Sequence, residues 1–260
     1  MAHPLLRLAG ALYAALIYGF IFLPVVVLVL FSLQATTLPI PPFTGPSLRW
    51  YEMVLGDRRL TAALGNSVLV ALFSSALAVL LGFLAAWGLA RFRPPGSAFW
   101  RTLLTLPLMV SYLIIGMGLL ILLSQMGAPR SLAGAAVGHV VINLPLCFAI
   151  LYSQMGEQQA RAEQAARDLG AAEWQVLLLI TAPMLWPALF ASFFLSVTFS
   201  WDEFIIAFLL TRFDTTLPVE IWNLLRAGLN PRTNAVGALV FLVSVVLVAL
   251  IELVLLRRRP

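Results

Sequence analysis

The chain has 260 residues, 62% hydrophobic and 10% charged, with a mean hydropathy of +0.99 and a formal net charge of +5. That balance excludes an ordinary soluble domain and points to one polytopic membrane domain. All 16 basic residues are Arg, so the chain has no lysine for a phosphate-binding loop, a Schiff base or a kinase site, and it is not itself a P-loop ATPase.

The arginines lie scattered among loops or gathered at Arg257, Arg258 and Arg259. Membrane orientation explains that pattern better than nucleic-acid binding does. Cys147 is the single cysteine and forms no internal disulfide; His3 and His139 are too few and too far apart for a metal site. No catalytic residue, metal or cofactor is expected in this chain.

In chain order, residues 8–33 form a retained first span, longer than the roughly 7 to 15 residues of a signal-peptide core. Residues 34–60, with Pro39, Pro41, Pro42, Gly45 and Pro46 followed by SLRWYEMVLGDRR, read as an extended segment and a short amphipathic helix outside the membrane. Spans follow at about 61–90 and 102–123, joined by a short loop carrying Arg91, Arg93 and Arg101. The next loop, 124–132, holds Arg130 alone, and this short-loop bias places 91–101 in the cytoplasm. Further spans at about 133–152, 184–210 and 234–256 complete six crossings. Both termini are then cytoplasmic, and the second outer loop is 211–233. The fold class is all-α.

The long polar insert is 157–183, EQQARAEQAARDLGAAEWQVLLLITAP. Ala162, Ala165, Ala166 and Leu169 recur at helical spacing, and Glu157 with Arg161 and Glu163 with Arg167 are acid-to-base pairs four residues apart. Gly170 interrupts the pattern where a helix can end in a left-handed residue. A helix, a glycine turn and a second helix make a compact knob. The run Gln164-Ala165-Ala166, three residues, Gly170, nine residues, Ile180, one residue, Ala182-Pro183 resembles the EAA loop of ABC-importer permeases, with Gln164 at the usual Glu and Ala182 at the usual Leu. The resemblance implies that Glu163, Gln164, Ala165, Ala166, Arg167, Asp168 and Gly170 belong to a surface that docks on a separate ATPase subunit.

Inside the spans the least expected residues are Trp201, Asp202 and Glu203, roughly 27 Å beyond the loop along a helix. A charge at this depth calls for a cavity or a partner. Two readings stand: a carboxylate facing a solute path, or a helix that ends earlier, with the pair as a cap or structural ion pair. Pro145 frees the carbonyl of Val141, and Asn143 or His139 can satisfy it; Asn143 also reads as a path-lining residue. His139 has no evident acidic partner, and Pro107 marks a break in the third span. Glu252 reads as snorkelling or pairing near the inner surface.

SLRWYEMVL, SWDEF and LPVEIWNLLRAGLNPRTNAVGAL narrow the resemblance to the second permease of spermidine/putrescine-type importers. That resemblance implies a type I importer fold in a bacterial inner membrane. It also implies a second, homologous permease, two ATPase subunits holding ATP and Mg, and an extracytoplasmic solute-binding protein. The solute is then a small organic molecule such as a polyamine, whose ammonium groups suit Asp202 and Glu203. Related importers carry amino acids, opines or aminophosphonates. The family often has a Pro-acid pair where this chain has Ser111-Tyr112, and the Tyr112 ring can stack on a solute. Of other classes, a hydrolase lacks facing acids or an activated serine, whereas an ion-coupled secondary transporter leaves the knob unexplained.

Overall fold

The computed structural model describes residues 4–228 and 230–256, and the side chains of 8–228, 230–246, 248 and 249. The side chains of Arg7 and Glu252 and the arginines at 257–259 lie outside the described residues. Among those described, regular structure is helical apart from one isolated antiparallel bridge between Gln34 and Pro46. The helices are α1 (Pro4–Ser32), α2 (Arg49–Gly56), α3 (Arg58–Phe92), α4 (Ser97–Thr105), α5 (Tyr112–Gln125), α6 (Leu132–Ser153) and α7 (Glu157–Asp168). After these come α8 (Glu173–Gln175), α9 (Ala182–Met184), α10 (Trp186–Trp201), α11 (Ile205–Leu210), α12 (Leu217–Ala227) and α13 (Pro231–Leu256). A 3-10 turn, Leu106–Met109, follows α4, and a π-helix, Val176–Thr181, separates α8 from α9.

Helices α1, α3 and α6 are each long and apolar enough to cross a membrane, and two bent pairs bring the number of candidate spans to as many as five. The described apolar part of α13, Pro231–Val246, is shorter. This is an all-α polytopic membrane protein. The run at 102–123, expected as a span with a break at Pro107, and the run at 184–210, expected as a span, are not straight. The segment ending in Met109 meets α5 at 106°, and the segment ending in Met184 meets α10 at 75°. Proline explains both places. Pro107 sits in the 3-10 turn, and Pro183 withholds the N–H that the Leu179 carbonyl would accept, beside a helical turn already widened to π geometry.

The chain divides into two compact units. The first combines residues 1–61 with 220–260. Here α13 packs against both α1 and α2, and none of the apolar window of α1 is buried, as suits a helix solvated by hydrocarbon. The expected extended segment is organised by Gln34. Its carbonyl accepts from Trp50 Nε1 at 2.6 Å, and its side-chain amide donates to Ile40 and Pro42 carbonyls at 3.3 and 3.2 Å. Asp57 caps α3, accepting from the Arg59 and Leu60 N–H groups at 2.7 and 3.3 Å, and pairs with Arg232. Burial pulls its carboxyl up, but those N–H groups and the Arg232 guanidinium hold it below the ordinary value.

The second unit, 62–219, is built around α6. Two thirds of the apolar window of α6 (67%) is buried, and α10, α11, α5 and α4 all pack on it. One apolar cluster joins Phe83, Ala86, Phe148, Leu151 and Leu185; another joins Ala135, Ile142, Ile206 and Leu210. Close approach needs glycine. A Cβ at Gly82 would lie 2.9 Å from the Phe148 backbone nitrogen, and one at Gly138 would collide with Ile206. Helix α6 continues through Pro145. Neither Asn143 nor His139 bonds the freed Val141 carbonyl: the Asn143 amide nitrogen has no hydrogen-bond partner among the described residues and His139 turns elsewhere.

Candidate functional site: a loop knob and a helix break

The knob begins with α7. Its Glu157–Arg161 pair forms at 3.1 Å on the exposed face, as the spacing requires. The second expected pair is looser, 3.8 Å between Arg167 and Glu163, because each has a better partner. Arg167 holds Glu173 with two hydrogen bonds, at 2.8 and 3.0 Å, and that bond raises the Arg167 pKa above its ordinary value. Glu163 is fully buried, and its carboxylate takes Arg91 Nε at 2.6 Å and the Thr181 hydroxyl at 2.9 Å. Arg91 also reaches the Met155 carbonyl at 3.4 Å. One carboxylate therefore ties three elements: the end of α3, α7 and the π-helix.

Gly170 has φ +86°. The Ala171 N–H bonds the Ala166 carbonyl at 3.0 Å and the Gly170 N–H bonds the Arg167 carbonyl at 2.8 Å, the double closure of a Schellman end. The next helical turn starts with the Gln175 side chain accepting from the Ala172 N–H at 2.8 Å. Gln164 is exposed and donates to Asp168 at 3.0 Å; Ala165 is exposed and Ala166 half-buried. Leu169 and Trp174 project uncovered, 90% and 61% exposed. A rigid knob with an apolar crest and a polar flank is suited to docking on another protein.

The helix break lies at the other expected position. α10 ends at Trp201 and α11 begins at Ile205. Glu203, 6% exposed, accepts from the Ile206 N–H at 2.9 Å and the Ala207 N–H at 3.2 Å, so it caps α11. Of the two readings of the acidic pair, this is the capping geometry for Glu203, while Asp202 beside it is exposed. His139 does have an acidic neighbour: its Nε2 faces Glu203 Oε2 at 3.5 Å. Its Nδ1 meets Ser200 Oγ at 2.6 Å, and Ser200 meets Ser74 at 3.2 Å. If Ser74 donates to Ser200 and Ser200 to Nδ1, the imidazole proton stands on Nε2 toward the carboxylate.

The expected path residues are thus partly gathered. Trp201 is buried, Asn143 lies one helical turn from His139, and Tyr112 stands at the start of α5, just past the 106° bend. No hydrogen bond joins Tyr112 or Asn143 to the acidic pair among the described residues. Sequence reasoning missed Arg91 and Thr181 as partners of Glu163, and Ser74 and Ser200 as partners of His139. A signal for the latter existed. His139, Asn143 and Cys147 recur every four residues on α6, and Ser192, Ser196 and Ser200 do so on α10. The two polar stripes run antiparallel, with His139 on Ser200 at one end and the Cys147 thiol on the Ser192 carbonyl, at 3.9 Å, at the other.

Comparison with known proteins bears on this arrangement. Residues 78–260 match the family described as "Binding-protein-dependent transport system inner membrane component". The putrescine transport system permease protein PotI of Escherichia coli K12 is 33% identical over 235 residues, 86% of this chain and 83% of that protein. The spermidine/putrescine transport system permease protein PotC of the same strain is 28% identical over 249 residues, 95% and 94% of the two chains. A solved bacterial ABC transporter involved in alginate import superimposes with a TM-score of 0.71 at 18% identity, covering 100% of this chain and 99% of that one. The same kind of transporter, crystallised with a periplasmic protein bound to an alginate pentasaccharide, gives 0.70 at 19%, covering 94% and 92%. At these identities the solved structures speak for the fold alone. With the family match spanning most of the chain, and a relative one third identical over nearly all of it, the chain belongs to the binding-protein-dependent transport system inner membrane components, the permeases of ABC importers.

Proposed function

We propose that this permease moves a polyamine-like cation from an extracytoplasmic binding protein into the cytoplasm. It does so beside a second, homologous permease and above two ATPase subunits that hold ATP and Mg. It is a transport subunit, not an enzyme. In this reading it makes six crossings with both ends in the cytoplasm, and the 157–183 knob receives the ATPase. The observation that carries the solute class is the exposed Asp202 carboxylate in the break after α10, in a chain whose relatives include putrescine and spermidine/putrescine permeases. An ammonium group in a low-dielectric path needs such a compensating charge.

The test is uptake of labelled putrescine and spermidine into vesicles holding the assembled complex, with and without ATP. ATP-dependent uptake of both is expected, and Asp202→Asn should lower it about tenfold or more, the equivalent of one lost charged contact. ATP-dependent uptake of a neutral amino acid, with no response to polyamines, would overturn the solute class. Uptake driven by a proton gradient without ATP would instead favour the secondary-transporter reading.

A further inference from the structure

We propose that Glu163 is a positioning residue for coupling, a strut that makes the knob, the end of α3 and the π-helix move as one body. The inference rests on the reading that the knob receives the ATPase. Three facts converge on it. Glu163 is fully buried although it sits on a helix whose other charged residues are exposed or half-buried. Its two oxygens serve different elements, Oε2 taking Arg91 at the last turn of α3 and Oε1 taking Thr181 at the last residue of the π-helix. Arg91 is itself tied to the chain entering the knob through the Met155 carbonyl.

The position of Thr181 gives the strut its consequence. Beyond it come only Ala182, Pro183 and Met184 before the 75° bend that leads into α10. Leu185, at that bend, is packed against Phe83, Ala86, Phe148 and Leu151. A push on α7 therefore reaches α3 through Arg91 and reaches the near side of the bend through Thr181. The bend is the first place where the push can become a change of angle in α10, the helix that ends at Trp201, next to Asp202. A hinge next to a widened helical turn and two prolines is a place where such motion is absorbed at low cost.

The experiment uses the assembled permease–ATPase complex with its binding protein and putrescine as the solute. Thr181→Val keeps the shape and the Arg91–Glu163 pair but removes the link to the π-helix; Glu163→Gln weakens both links. Both variants are expected to co-purify with the ATPase, with ATP hydrolysed per putrescine imported rising about fivefold or more. Amide hydrogen exchange on the same complexes provides the second reading. Glu163→Gln should speed exchange in α7, in 176–181 and in the last turn of α3 together, whereas Thr181→Val should speed it in 176–181 and leave α3 unchanged. The proposal is overturned if the ATP-to-solute ratio stays at the parental value in both variants, if exchange rises in α7 alone, or if the variants lose the ATPase altogether. A parental complex whose ATP hydrolysis ignores binding protein and putrescine would count against the importer reading, while the exchange pattern would still decide the strut.

Discussion

Glu203 directs its carboxylate at the N–H groups of Ile206 and Ala207, with the His139 ring behind it, while Asp202 next to it is exposed on the chain's surface. Their replacements should therefore differ in kind. Glu203→Gln leaves one acceptor but removes the charge that faces both the start of α11 and His139, and it should destabilise the purified protein by about 1–3 kcal/mol, read as a lower unfolding midpoint in detergent. Asp202→Asn should leave that midpoint within about 0.5 kcal/mol, as exposed substitutions do. His139→Leu combined with Glu203→Gln should cost less than the sum of the single changes, since both remove the same contact. Equal midpoint shifts for Asp202→Asn and Glu203→Gln would show that the cap is not what distinguishes them. The two acids were legible in SWDEF, but their division of labour was not, because it depends on where α10 stops. Ser200, Ser74 and His139 come from three separate helices, and no local pattern joins them.

At the scale of the element, the knob was legible almost in full. Its helix runs over Glu157–Asp168, and its turn falls on Gly170, because glycine alone enters the left-handed region without steric cost. What the spacing did not reveal was which face points inward. Glu163 and Arg167 suit each other as helix neighbours, yet the inner face places Glu163 against Arg91, 72 residues away. A Cβ at Gly170 meets nothing within 4 Å, so substitutions there act through the backbone alone. Gly170→Val should impose roughly 1–2 kcal/mol of left-handed strain on the turn, weakening ATPase co-purification or uncoupling hydrolysis from transport. Gly170→Asn, which tolerates that conformation, should restore most of the loss. Full coupling in the Val variant would remove any need for the Schellman end.

For the whole molecule, the arginine bias of the short loops implies a definite orientation. Cys147 is buried, so a thiol introduced at an exposed position is the one a polar reagent meets. Thr44→Cys should react from outside intact cells and Gln158→Cys only after the membrane is opened; the reverse pattern would invert the topology. The helical class, the polar knob and the break at Pro107 followed from hydropathy and motif, whereas the 106° size of that bend and the 75° bend before α10 did not, because an apolar run reads the same whether straight or sharply folded. The division into units bears on how the chain is made. The first unit joins residues 1–61 to residues 220–260, and α1 packs on α13, which is synthesised after the whole of the second unit. Before α13 is made, α1 can draw on α2 through the Ser32–Tyr51 hydroxyl contact but not on its main neighbour. An apolar helix with no buried window can rest in the lipid through that interval, and the α1–α13 contact then becomes the step that closes the first unit.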